Sequence, residues 1–249
     1  MPALVPPPST PERHIALQHD RTWRWSQTWR NVLFVHWEVA DHRLREILPE
    51  SLELDRWQGS AWVSAVVFRL VRVRLRGLQP IPLCSDFLEL NLRTYVRYRG
   101  EPGICFLSMH ADSAVAVAAA RWLTPLPYRY APMTCRNEQK QWHWQCGAGT
   151  TTQPVLLDGH FELQDGVAHA VENSLDAWLV ERYAAFVPDR RGRLHQMVCK
   201  HAPWGLSPVA CDMVRVGCES EVGLSLNSVP SLCHFSSGVE ALIGPFEPL

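Results

Sequence analysis

The sequence predicts an α+β fold, mainly antiparallel β and barrel-like, with a few short helices. Three observations predict it. Apolar runs have strand length, charged and apolar residues alternate at period two, and only three segments combine a capping residue with helical spacing.

In chain order, residues 1–20 are proline-rich and polar and read as a loose tail. Residues 21–249 read as one domain, because no later stretch resembles a linker and no repeat recurs. Val32 to Trp37 is the first strand. Asp41 stands where a cap would start a short helix that turns Leu44, Ile47 and Leu48 inward and stops at Pro49. Ala61 to Phe68 is a Val-rich strand. Val71, Val73 and Leu75 then alternate with Arg72, Arg74 and Arg76, a strand with a solvated basic face that Gly77 and Pro80 end. Leu88 to Tyr98 puts Leu90, Leu92, Thr94 and Val96 on one face and Glu89, Asn91, Arg93 and Tyr95 on the other. Gly100 to Gly103 reads as a turn, with Ile104 to His110 as the return strand. Asp112 or Ser113 can cap an Ala-rich helix ending at Leu123, before Pro125. Asn173 or Ser174 can cap a third, with Leu175, Trp178, Leu179 and Tyr183 along one face. Further strands are expected near residues 141–146, 161–163, 194–200, 209–216 and 231–235.

Composition narrows the function. With 249 residues, 47% of them hydrophobic, a sizeable core can form. No apolar run approaches the ~20 residues of a membrane helix. Residues 1–8 lack a basic n-region and are interrupted by proline, so no signal peptide is read and a cytoplasmic location is expected. A net charge of −1 argues against nucleic-acid binding. The eight cysteines include no C-x-x-C pair and are expected to be free thiols. His195, Met197, Cys199 and His201 share a strand face, but same-face spacing of ~6–7 Å per step is too wide to close around a metal. No metal and no cofactor are expected. Phosphate-loop, dinucleotide, zincin and nucleophile-elbow motifs are absent from the sequence.

Two stretches remain as candidate chemistry. The polar face Glu89, Asn91, Arg93 and Tyr95 either lines something enclosed or forms a structural ion pair. After the Ala-rich helix, Pro125 and Pro127 set a stiff turn that delivers Tyr128 and Arg129 to a defined place.

The pattern from Glu89 through that helix to Pro127-Tyr128 resembles the acetoacetate-decarboxylase-like superfamily, and within it the YqjF-like family. Also matching are Leu33 to Trp37, Leu48 to Asp55, Ala61-Trp62-Val63, Ser85 to Val96, Leu126 to Arg129, Glu181-Arg182-Tyr183 and His201-Ala202-Pro203-Trp204. The resemblance implies a β cone around a pocket. In acetoacetate decarboxylases, a lysine after the helix captures the keto acid as an imine, and its pKa is lowered by its surroundings. Aligned without a gap, the family's glutamate falls on Glu89, its imine lysine on Tyr128 and the next lysine on Arg129. A phenol cannot form an imine, and a guanidinium stays protonated. The only lysines are Lys140, in a polar run read as a surface turn, and Lys200, on the opposite strand face from Cys199 and His201.

The expected role is therefore binding of a small carboxylate or carbonyl compound without imine chemistry, through Arg129, Arg93, His201 and Trp204. A lyase or isomerase using Glu89 as base and Tyr128 as acid is the alternative. A structural or interaction module with no ligand is the third. Neither a membrane nor a nucleic-acid partner is expected, and homo-oligomer formation is left open.

Overall fold

The computed structural model describes residues 23–81, 85–150, 154–211 and 213–249. The tail read over residues 1–20 and Cys84 lie outside the described residues.

The strands in the first half are β1 (Trp25–Val39), β2 (Glu53–Leu54), β3 (Ala61–Leu75), β4 (Asp86–Tyr98), β5 (Glu101–Ala111), β6 (Tyr128–Tyr130), β7 (Met133–Glu138) and β8 (Gln141–Cys146). The second half carries β9 (Leu157–Leu163), β10 (Ala168–His169), β11 (Ala184–Pro188), β12 (Leu194–His201), β13 (Gly205–Ala210), β14 (Val214–Val216) and β15 (Leu232–Pro248). Helices α1 (Asp41–Ile47), α2 (Ala114–Leu123) and α3 (Leu175–Val180) interrupt them.

Seven strands close a barrel in the order β1-β3-β4-β5-β11-β12-β15, with β15 returning to β1. All neighbours are antiparallel except β5 and β11. The seam runs from His36 opposite Leu232 to Trp25 opposite Ile243. Gly238 faces Arg30 there at φ 127°, and a Cβ would lie 1.9 Å from the Trp29 carbonyl oxygen. Only glycine lets the two strands approach so closely.

From β15 the sheet continues through β13, β9 and β8 to β7 and lies against the outside of the barrel. Trp144, Cys146, Leu157 and Phe161 share one core with Leu33, Val35, Val63, Leu90 and Leu92. The barrel interior forms the other core, around Phe34, Phe68, Ile104, Leu179 and Trp204. Strands β1, β3 and β4 are thus buried on both faces, which explains their near-continuous apolar character.

Several local expectations are corrected. The segments read separately as 61–68 and 71–75 are one strand, with Arg72 at φ 56° in a bulge against β1. The β4–β5 turn is the two-residue pair Arg99-Gly100, both at positive φ, not residues 100–103. The segment read as one strand over 209–216 is split between β13 and β14. Tyr183 lies beyond α3. Asp41 does not cap α1: Ala40 holds that position, and the Asp41 carboxylate accepts from Arg56 Nε at 2.6 Å.

Ser113 and Ser174 do cap, their Oγ atoms accepting from Ala116 N (3.2 Å) and Ala177 N (3.1 Å). Ser113→Ala is expected to lower stability by about 1 kcal/mol, the usual value of such a cap. Urea unfolding checks this, and an unchanged midpoint would show that tertiary contacts alone hold the start of α2.

Candidate functional site

A cavity of about 370 Å³ lies in the barrel interior beneath α2. Its origin is local. Helix α2 has the sequence AVAVAAARWL and turns Ala116, Ala119 and Ala120 toward the strands, so no side chain fills the space that a Leu or Phe would occupy. Opposite stand Phe34 from β1, Phe68 from β3 and Phe106 from β5. The strand β4 supplies the polar groups, because its period-two alternation turns Glu89, Asn91 and Arg93 to the same side.

One pole is acidic. Glu89 is 2% exposed, and its Oε2 accepts from the Tyr128 hydroxyl at 2.6 Å. Asn91 Nδ2 approaches Oε1 at 3.4 Å. Burial pushes the Glu89 carboxyl up to about 7, against the pull of the Tyr128 and Asn91 hydrogen bonds. The Tyr128 phenol is raised well above its ordinary value by burial and by the neighbouring carboxylate. Tyr128 reaches this place because β6 runs parallel to β5, with Tyr128 beside Met109 and Met109 beside Asn91.

The other pole is cationic. Arg93 is 9% exposed. Its Nη2 donates to the Leu179 carbonyl at 3.3 Å, its guanidinium carbon lies 5.5 Å from the Phe34 ring centre, and its Nε has no partner. Among the described residues, no carboxylate lies within ion-pair distance of it. The Leu179 carbonyl also accepts from Tyr95 OH at 2.9 Å, and it belongs to the last turn of α3, where helix carbonyls lack internal donors. Beside Arg93, His201 Nδ1 donates to the Ala202 carbonyl at 2.8 Å, so a neutral ring presents Nε2 as an acceptor. Burial lowers the His201 pKa to about 4, with the Arg93 charge adding to the shift. Trp204 lines the cavity, stacked on Trp29 and donating from Nε1 to the Val180 carbonyl at 3.1 Å.

Arg129 is not part of this cavity. In β6, successive side chains point to opposite faces, so the strand that turns Tyr128 inward turns Arg129 outward. Its side chain is 59% exposed and pairs with Glu221 at 3.0 Å, which also contacts His110. Arg129 and Glu89 therefore do not pair. Tyr95 shares the face of Glu89 but lies past the cavity, against Trp178 and Ser64. Of the His195 to His201 series, Met197, Cys199 and His201 line the cavity, whereas His195 Nδ1 donates to the Arg193 carbonyl at 3.1 Å.

A second guanidinium at the cavity, Arg182, escaped notice as a site residue. It donates to Asp55 Oδ2 at 2.7 Å and to the Trp178 carbonyl at 2.6 Å. Its place in the matched Glu181-Arg182-Tyr183 segment was the available signal.

The sequence profile of the DUF2071 family, described as an uncharacterized conserved protein, matches residues 26–240. The chain belongs to the DUF2071 family. The YqjF protein of Bacillus subtilis (strain 168) is 34% identical over 226 residues, 91% of this chain and 93% of that protein. An acetoacetate decarboxylase from Legionella pneumophila superposes with a TM-score of 0.65 at 16% identity, covering 99% of this chain and 92% of that one. The enduracididine biosynthesis enzyme MppR, solved with pyruvate, gives 0.61 at 13% identity, covering 92% and 91%. These likenesses establish the acetoacetate-decarboxylase type of β barrel for this DUF2071 chain.

Within that fold, no lysine lines the cavity of this DUF2071 chain among the described residues. Lys140 sits in the β7–β8 hairpin turn with Nζ 2.7 Å from Asp165. Lys200 is on the exposed face of β12, between the buried Cys199 and His201. Neither lines the cavity.

Proposed function

We propose that this chain binds a small organic carboxylate or carbonyl compound in the barrel cavity, without imine chemistry, through Arg93, His201 and Trp204. The observation that carries this is Arg93. A guanidinium taken out of water without a counter-ion costs several kcal/mol, and an incoming carboxylate would supply two charge-assisted hydrogen bonds. Arg182, equally buried, has Asp55 for that purpose. The MppR complex with pyruvate supports the reading, since a barrel of the same type there holds a keto acid. We read residues 21–249 as the single domain that carries the site. A cytoplasmic location fits the absence of disulfides among the described cysteines.

One observation favours a second role, proton transfer in a lyase or isomerase. A carboxyl at about 7 in contact with a phenol is poised to take a proton from, or give one to, a bound carbonyl compound.

The test is a thermal-shift panel of pyruvate, acetoacetate, 4-phenylbutyrate and decanoate. At least one should raise the melting temperature, and Arg93→Met should erase that rise while leaving the protein folded. Borohydride added with pyruvate or acetoacetate should leave the protein mass unchanged. A trapped adduct, or silence across the whole panel, rules the proposal out.

A further inference from the structure

Cavity size and wall chemistry constrain the ligand further. At about 30 Å³ per water-sized atom, 370 Å³ holds on the order of twelve non-hydrogen atoms. A three- or four-carbon keto acid fills roughly half of that. Between the poles the wall is carbon: Trp29, Phe68, Leu70, Phe87, Phe106 and Ile104 all face the space. Glu89 and Arg93 are four residues apart on β4, about 13 Å along an extended strand. The two groups also touch different partners, Glu89 meeting Tyr128 and Asn91 while Arg93 meets the Leu179 carbonyl and the Phe34 ring, so the poles occupy separate reaches of one cavity. The way in is apolar too. Leu75, Ile81 and Leu123 line the cavity and are exposed at its mouth. Large exposed apolar side chains gathered at one opening mark a ligand route more often than a bare surface.

We infer that the ligand is a monocarboxylate with an apolar alkyl or aryl body of about eight or nine carbons, its head held by Arg93 and its body spanning the carbon wall toward Glu89 and Tyr128. This rests on the binding role proposed above and narrows it. A short keto acid would satisfy Arg93 but leave most of the apolar wall against water. An apolar body displaces that water, and each buried methylene favours binding by about 0.8 kcal/mol, close to fourfold in affinity. Six further methylenes would give a thousandfold or more if all were buried.

The experiment is calorimetric titration of the full chain with acetate, pyruvate, acetoacetate, decanoate and 4-phenylbutyrate, with decanol as the uncharged control. Decanoate, 4-phenylbutyrate or both should bind at least thirtyfold tighter than the short acids, and decanol weakly. Which of the two wins separates an alkyl from an aryl body. Arg93→Met should remove the advantage of the acid over the alcohol. Ala119→Phe and Ala120→Phe, which place a ring into the cavity, should weaken the long acids, and either variant suffices if the other does not fold. Short acids binding as tightly as long ones would overturn the inference and leave the binding role standing, whereas decanoate affinity unaltered by Arg93→Met would overturn both. If no compound binds at all, both fall together.

Discussion

Asp55→Ala is expected to destabilise the protein by about 3–5 kcal/mol, the usual result of removing one partner from a buried ion pair. Asp55 and the Arg182 side chain are 5% and 6% exposed and meet at 2.7 Å. The Arg182 guanidinium is packed 4.4 Å from the Trp178 ring centre and 5.3 Å from that of Tyr95, so it cannot swing into solvent without opening the α3 end of the barrel. Burial already lowers the Arg182 pKa, and the Asp55 carboxylate is the main group opposing that shift. Without Asp55, a desolvated cation remains with only the Trp178 carbonyl and ring faces. The matched control is Arg97→Ala. Arg97 touches the other Asp55 oxygen at 2.9 Å but is 42% exposed, so its loss should cost less than about 1 kcal/mol. Urea unfolding of both variants separates these expectations. Equal small losses would mean that Arg182 finds other compensation.

Glu89→Gln is expected to stabilise the protein above neutral pH, by up to about 3 kcal/mol, and to leave it unchanged near pH 4. The native carboxyl titrates at about 7 against 4.5 when solvated. Below 4.5 it is protonated in both states and its contribution is fully present. Between 4.5 and 7 only the unfolded chain releases the proton, so stability falls by about 1.4 kcal/mol per pH unit, and the loss is complete above 7. Glutamine is neutral throughout and can still accept from Tyr128. His201, lowered by burial, loses stability as pH falls from 6.5 toward 4, but it does so in both proteins and cancels in the difference. Unfolding free energies at pH 4, 6 and 8.5 give the answer, and parallel curves would refute the raised carboxyl. Should a carbonyl substrate be turned over, the same variant should lose that activity while gaining stability, the mark of a residue kept for chemistry.

The alternation along β4 was legible because period two needs no tertiary knowledge: Glu89, Asn91 and Arg93 had to share a side. The placement of the lysines away from the barrel interior was legible for the same kind of reason, since only two exist and both stood in polar or outward positions. Less legible was the next strand. Tyr128 and Arg129 are neighbours behind two prolines, and adjacency puts them on opposite faces without saying which face is inside. The outward turn of Arg129 follows from the parallel pairing of β6 with β5, a contact between segments that carry no shared local signal.

By itself the sequence determined the faces of β4, the caps of α2 and α3 to within one residue and the lack of a lysine at positions 128 and 129, all of which depend on residue identity and near neighbours. Only the tertiary structure decided that there is a cavity, that Arg93 lines it and Arg129 does not, and that Arg182 is neutralised by Asp55. Those depend on closing β1 onto β15 across some two hundred residues, as His36 meeting His234 at 3.2 Å illustrates, and on alanines in α2 leaving space that no single position specifies. Enclosure is a property of the closed sheet, and it sets which charges lose their water.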